Sequence, residues 1–439
     1  MGSGRNTGKR KLSAGTVFML VLIAAVLAGS ALVIGRLSSG ASVDLSKLNM
    51  SVLDIREDPA REENGGTDGP PERTEQPEKT APPTPAVTET PVPQNSGESF
   101  TLTVGGSISL SGEVRKNSRN ADAKVADYAD VMLLLAPEIH SDENIVFLEN
   151  ILSDRHKTTD FTAPGQGAIL LKEAGFSLAA CGFSRAYDNG REGIEATLAT
   201  LKSQGTGVLG IRGADDPGDP EIRNENGIRT AYLQYTDTVP AKTRKGMEKD
   251  GTSGMVPEAE ITLITQGIRS ARDLGAEIVV VLLNWGKNGK EPDKAQRALA
   301  EETARAGADL IIGNGSHVPQ AAEYLTGLNG RSVLCVWSLG SLLSGDRSNI
   351  RHMSGYLLHV TVRRNAQGGT DILNPEYTPV YTWKYKQDGR TYYRCVAADG
   401  EAPDGMDKEQ RNNREKAAEA VSTVLKDTPL TERGQENAD

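Results

Sequence analysis

The sequence predicts an α/β domain, and two observations carry that prediction. Between Phe100 and residue 385, short apolar β-rich runs alternate with longer runs at helical spacing. Helix punctuation falls where the alternation needs it: Pro257 opens one helical run and Gly275 lies just past its end. Regular alternation of this kind builds sheets covered by helices.

The expected strands, in chain order, are Phe100–Val104, Asn144–Leu148, Ser177–Cys181, Gly207–Ile211, Thr230–Tyr235, Glu277–Leu283, Asp309–Ile312, Ser332–Trp337 and Tyr356–Val362. Between them the expected helices are Val125–Leu135, Gly167–Glu173, Gly190–Ser203, Pro257–Leu274 and Asp293–Ala306. Two late stretches, Ser332–Val362 and Tyr377–Cys395, point to added antiparallel strands. The domain therefore spans residues 99–385, and residues 386–439 read as a polar extension with one solvated helix over Lys408–Lys426.

The N-terminal part has a different physics. Ala14 to Gly35 contains 22 residues and no charge. At helical rise that is about 30 Å, the thickness of a bilayer core. Arg5, Lys9, Arg10 and Lys11 precede it, so residues 14–36 are expected to cross the cell membrane once, with residues 1–13 cytoplasmic and the rest outside; the alternative is a signal peptide cleaved near the small residues Ser38 to Ala41. Residues 37–98 follow as a linker. Nine of the 21 prolines lie between Pro59 and Pro93, and no aromatic residue occurs between Phe18 and Phe100. A segment so poor in apolar area cannot offset its ordering entropy and serves as a semi-stiff spacer.

Charge and composition exclude several functions. With 49 Lys+Arg against 59 Asp+Glu the net charge is −10, and no nucleic-acid partner is expected without a basic face. Three cysteines cannot form a disulfide framework. Cys181 and Cys335 fall in expected strands, where pairing and simple burial both remain open. Five histidines are few for a multi-histidine metal centre.

In such folds ligands gather at the C-terminal ends of strands. The loops to read are therefore Gly105–Gly112, Glu149–Ile151, Gly182–Gly190, Asn284–Gly289, Gly313–Gln320 and Ser338–Gly345. Their chemistry-bearing residues are Glu149, Arg185, Asp188, Asn284, Trp285 and His317. Glu149 and Asp188 are candidate general bases, Arg185 a charge stabiliser, and Arg185 with His317 a grip on anionic oxygens. Each has a plainer alternative. Glu149 would pair with Arg185 or cap a helix, and Asp188 would be the N-cap of the helix after Gly190. Trp285 and His317 would be packing residues.

At these loops the sequence resembles the capsule-synthesis CapA proteins, called PgsA in poly-γ-glutamate synthesis and related to calcineurin-like metallophosphoesterases. Leu148-Glu149 stands where that family has Asn-Leu-Glu. The run from Asp188-Asn189-Gly190 to Thr197-Leu198 matches its D-x-G-x-x-G-x-x-x-T-L. Asn284-Trp285-Gly286 matches His-Trp-Gly. Gly307-Ala308-Asp309-Leu310-Ile311-Ile312-Gly313 matches G-A-D-x-I-I-G, followed by Ser316-His317-Val318-Pro319-Gln320 and Glu323. Trp337-Ser338-Leu339-Gly340-Ser341 resembles Y-S-L-G-N.

The departures fall on the metal ligands of the resembled family. Its early Gly-Asp is here Gly105-Gly106, and its Asn-Asn-His is Phe183-Ser184-Arg185. The first histidine of His-Trp-Gly is Asn284, and only His317 survives of H-P-H. A two-metal centre needs several Asp, His and Asn ligands to fix both ions. The resemblance therefore implies a layered αββα sandwich with a role in capsule or poly-γ-glutamate synthesis, export or retention. The departures imply a degenerate member with no metal cofactor, against the alternative of two divalent ions. The expected substrate-binding set is Gly106, Arg185, Asn284, Trp285, His317 and Glu323. The expected catalytic candidates are Glu149, Asp188 and His317. The expected partners are an anionic surface polymer, the membrane and other polymer-synthesis membrane proteins. Two alternatives stand beside this: an active hydrolase or transferase, and an envelope scaffold.

Overall fold

The computed structural model describes residues 98–117, 128, 130–237 and 239–434. The expected membrane helix and nearly all of the linker lie outside the described residues. No helix among the described residues is long and apolar enough to cross a membrane.

The strands of the first half are β1 (Ser99–Ile108), β2 (Glu143–Leu148), β3 (Ile151–Leu152), β4 (Thr162–Ala163), β5 (Leu178–Ala180), β6 (Gly207–Leu209), β7 (Glu221–Glu225) and β8 (Ile228–Thr236). Those of the second half are β9 (Ile278–Asn284), β10 (Leu310–Asn314), β11 (Ala322–Thr326), β12 (Ser332–Val336), β13 (Ser341–Leu343), β14 (Ser354–Arg364), β15 (Thr370–Gln387), β16 (Arg390–Ala397) and β17 (Thr431–Glu432). The α-helices are α1 (Gly112–Asn117), α2 (Gly167–Glu173), α3 (Gly190–Ser203), α4 (Ala241–Lys249), α5 (Ile261–Asp273), α6 (Lys294–Ala306) and α7 (Lys408–Leu425).

Two sheets result. The first runs β16-β15-β14-β1-β2-β5-β6, with β13 also on β1 and β17 on β15, and the second runs β11-β12-β10-β9-β8-β7. Strand alternation decides what each face meets. On β9, Val280 and Leu282 pack with Leu102, Val104, Ile145 and Phe147 of the first sheet. The intervening Val279, Val281 and Leu283 pack on Ile264 and Ile268 of α5 and Ala300 and Ala304 of α6. The outer face of the first sheet meets Leu170 and Leu171 of α2 and Ile194 and Leu201 of α3. Three apolar layers thus separate helix, sheet, sheet and helix, which is the αββα sandwich the resemblance implied. Strands buried on both faces explain the unbroken apolar runs of β9 and β10.

Local chemistry sets the helix ends. Asp293 caps α6 by accepting from Ala295 and Gln296, with Gln296 returning a bond to the Asp293 backbone. Gly307 ends the helix at φ 107, a conformation glycine adopts without strain. The helix expected from Pro257 starts only at Ile261. The intervening backbone is extended because Thr236 takes Pro257 and Ala259 as backbone partners.

The helix expected over Val125–Leu135 does not form in the described residues of that stretch, which are turns leading to a short 3-10 segment at Ala136–Glu138. The carbonyl of Val131 is taken by the N–H of Cys395, so tertiary pairing overrides the local pattern. The boundary expected at residue 385 falls inside β15. Nor is the C-terminal helix solvated all round: Val421 and Leu425 of α7 lie in the layer between the sheets.

Candidate functional site

The C-terminal ends of β2, β9 and β10 meet at one end of the sandwich. Glu149 follows β2 and is held by its N–H on the carbonyl of Ile108, the last residue of β1. Asn284 ends β9, in register with Asn314 at the end of β10. His317 lies on the loop after β10. These strands bring three of the sequence candidates together. Glu149 accepts from Asn284 Nδ2 through Oε1 at 3.2 Å, and its Oε2 lies 3.4 Å from His317 Nδ1. Glu149 and Asn284 are buried, whereas the His317 side chain is 35% exposed.

The loop that presents His317 is strained. His317 itself has φ 59, a region that non-glycine residues adopt only when their surroundings force it. Ser341 Oγ donates to the His317 carbonyl at 3.0 Å, which fixes the backbone there. The floor is aromatic: Trp285 and Trp337 stack with centroids 5.4 Å apart, and Trp285 Nε1 donates to the Trp337 carbonyl at 2.9 Å. Trp285 is therefore a buried support and not a face open to a ligand.

The other candidates have partners of their own. Arg185 and Asp188 pair with each other at 2.6 Å, and Arg185 lies over the Phe161 ring at 4.8 Å. The hydrogen bond to Asp188 raises the Arg185 pKa further. Arg185 is therefore charge-compensated, and Asp188 is occupied by it and is not the helix cap: Asn189 holds that position. Glu149 pairs with His317 and Asn284, not with Arg185. Glu323, on β11, binds Arg297 at 3.0 Å and Trp337 Nε1 at 2.8 Å, so it secures the floor from its far side. Cys181, Cys335 and Cys395 are all free and buried.

Gly106 marks an irregularity in β1, where the register to β2 shifts. A Cβ there would lie 2.3 Å from the Gly340 carbonyl oxygen. No side chain fits that position in this backbone. The position of the resembled family's bridging carboxylate thus offers no side chain, Asp188 is tied to Arg185, and Glu149 takes Asn284 as a partner with His317 Nδ1 3.4 Å away. No group of three or more His, Cys, Asp or Glu able to hold a metal occurs among the described residues.

Two residues at this end escaped the sequence argument. Asn314 is fully buried and accepts from Ser338 Oγ at 3.2 Å, while its Nδ2 has no partner among the described residues. Asn150 accepts from the Leu110 N–H at 2.7 Å and donates to the Asp160 carbonyl at 3.1 Å, closing the loop beside Glu149. The available signal was an amide side chain at or next to a strand's C-terminal end.

Chemically, the cluster is an imidazole with its Nδ1 turned to a buried carboxylate, leaving Nε2 as its other polar atom.

Known proteins resemble this chain as follows. It is 26% identical over 290 residues to the capsule biosynthesis protein CapA of Bacillus anthracis, covering 65% of this chain and 68% of that one. It is also 26% identical over 267 residues to the PGA biosynthesis protein CapA of Bacillus subtilis (strain 168), covering 58% and 66%. Among solved structures it is similar to a 5'-nucleotidase precursor from Thermus thermophilus, with a TM-score of 0.39, 12% identity and coverage of 74% and 58%. The calcineurin-like phosphoesterase YfkN from Bacillus subtilis gives a TM-score of 0.37, 11% identity and coverage of 75% and 99%. The model of the bacterial capsule synthesis protein family, PGA_cap, matches residues 101–346, more than half of the chain and every loop that builds the site, and this protein belongs to that family.

Proposed function

We propose that this protein binds and positions an anionic surface polymer, poly-γ-glutamate or a capsule, for its synthesis, export or retention at the cell membrane. Residues 14–36 anchor it in this reading, and the domain works outside the membrane without a pair of metal ions. The observation that carries the proposal is the family match, whose span includes Gly106, Glu149, Asn284 and His317. The missing space at Gly106 supports the metal-free part.

The test is binding of the purified full chain to poly-γ-glutamate, with elemental analysis of the same sample. Binding is expected with fewer than two tightly held transition ions per chain. His317→Ala is expected to weaken binding by about tenfold, the loss of one contact to an anionic oxygen. Wild-type protein that ignores the polymer, or that carries two ions, overturns the proposal.

One observation favours a second reading, metal-independent acid–base catalysis on the same polymer. His317 Nδ1 lies 3.4 Å from Glu149 Oε2, which leaves Nε2 as the ring atom free to take a proton in this reading. Under that reading His317→Ala abolishes polymer shortening or transfer while binding persists.

A further inference from the structure

If the polymer of the preceding section carries a charge on every repeat, the strand-end cluster is a poor grip for it. Its imidazole faces a carboxylate, and Arg185 is paired to Asp188. Unpaired positive charge lies on the β15–β16 hairpin. Strand pairing fixes where that hairpin goes. On β14, Leu357 faces both Gly105 of β1 and Thr378 of β15, and Ser354 faces Tyr381. Tyr381 is thus level with the last residues of β1. Residues 382–387 run on past that end, by about 20 Å at ordinary strand rise.

The projection is stiff. Gln387 pairs with Arg390, and the two turn residues between them, Asp388 and Gly389, have φ 50 and 73. Two left-handed residues make the turn that suits the twist of a hairpin. Trp383, Tyr385 and Tyr392 stack in file along it at 4.4 and 5.4 Å.

From residue 382 to 394 the charged residues are Lys384, Lys386, Arg390 and Arg394 against Asp388. Arg394 reaches Asp130 at 3.2 Å. Lys384, Lys386 and Arg390 are exposed and have no ion pair among the described residues. Lys384 and Arg347 both lie over the Tyr393 ring, at 5.6 and 5.4 Å. Arg347 donates to the Thr382 carbonyl at 2.6 Å, while its Nε and Nη1 have no partner among the described residues. Burial lowers its pKa, as expected of a guanidinium short of counter-charge.

We propose that the β15–β16 hairpin, with its exposed Lys384, Lys386 and Arg390, is a rail along which an anionic polymer lies as it approaches the Glu149–His317 cluster. This inference rests on the polymer function proposed above. On a chain of net charge −10, such a concentration of unpaired cations suits repeated carboxylates, each contact weak and the sum made effective by their linkage.

The experiment compares the full chain with a K384A/K386A/R390A variant on poly-γ-glutamate, with neutral dextran as control, at low and at physiological salt. All three side chains are solvent-facing, so unchanged circular dichroism and thermal unfolding are expected. The triple variant should bind about tenfold more weakly at low salt, the sum of three modest exposed contacts, and its affinity should fall less steeply with salt. If wild type binds, His317→Ala weakens binding, and the triple variant binds like wild type, the rail is wrong and the polymer function stands. If wild type does not bind, the polymer function falls and the rail with it.

Discussion

Gly106 carries more information by lacking a side chain than most residues carry by having one. Its position in β1 is pressed against the Gly340 carbonyl, so restoring a metal-ligand carboxylate is a packing problem before it is an electrostatic one. Gly106→Asp is expected to destabilise the domain by about 2–4 kcal/mol, the scale of forced overpacking. Thermal unfolding checks that loss, and elemental analysis after manganese dialysis should show no gain in bound metal. A stable variant with two ions would contradict the account of the site. The sequence disclosed the glycine but not the carbonyl opposite it, because Gly340 is distant in the chain and only sheet pairing brings it near. Glu149 and His317 were legible for the same kind of reason in reverse: both follow apolar strand runs, and strand ends point to ligand sites. Arg185 was legible as a charge and misleading as a ligand, since its partner Asp188 lies one turn away.

At the scale of elements, the edge strand β7 holds a buried carboxyl group with a measurable consequence. Burial pushes Glu225 up to about 7. One of its oxygens has no partner among the described residues, and the other accepts from Tyr232 at 3.4 Å. Around it, Glu143 raises the pKa further and Arg223, paired with Glu143 at 2.8 Å, lowers it. The unfolded chain releases this proton near the ordinary value of 4.5, so between there and about 7 the folded form binds more protons. Stability contributed by this group is therefore full in acid and lost as pH rises through 7. Glu225→Gln should flatten that slope and raise stability at pH 8 by about 1–3 kcal/mol, read from urea unfolding at pH 5 and pH 8. An unchanged pH slope would refute it. His359 acts in the opposite direction. Burial first, then Arg433 and His140, lower it to about 3, so its contribution is kept above pH 6.5 and lost as acid approaches 3.

For the whole molecule, the sandwich is closed by a helix that the sequence marks as polar. Ala417, Val421 and Leu425 of α7 are buried, and Arg414 donates to the carbonyls of Ala397 and Gly400 at 2.9 and 3.2 Å. Val421→Asp puts an unpaired carboxylate between the two sheets and is expected to cost more than about 3 kcal/mol. Glu419→Ala on the exposed face of the same helix should change stability by less than about 0.5 kcal/mol. Chemical denaturation of both variants decides the matter. Equal effects would mean that α7 is an appendage. The outcome also bears on polymer binding, because α7 packs against β15, the strand that carries the rail.

What the sequence by itself determined is whatever depends on neighbours in the chain: the nine main strands, α2, α3 and α6, and the candidate loops. Period, punctuation and apolar runs are local quantities, and so are the short residue motifs that carry the family resemblance. Only the tertiary structure decided which candidates meet. It placed Glu149, Asn284 and His317 within hydrogen-bonding reach, tied Arg185 to Asp188, assigned Glu323 to the aromatic floor and denied Gly106 a side chain. It also carried the β15–β16 hairpin past the site end of the sheet. Contacts between residues far apart in the chain follow from strand register and layer packing, and neither is written in any short stretch of sequence.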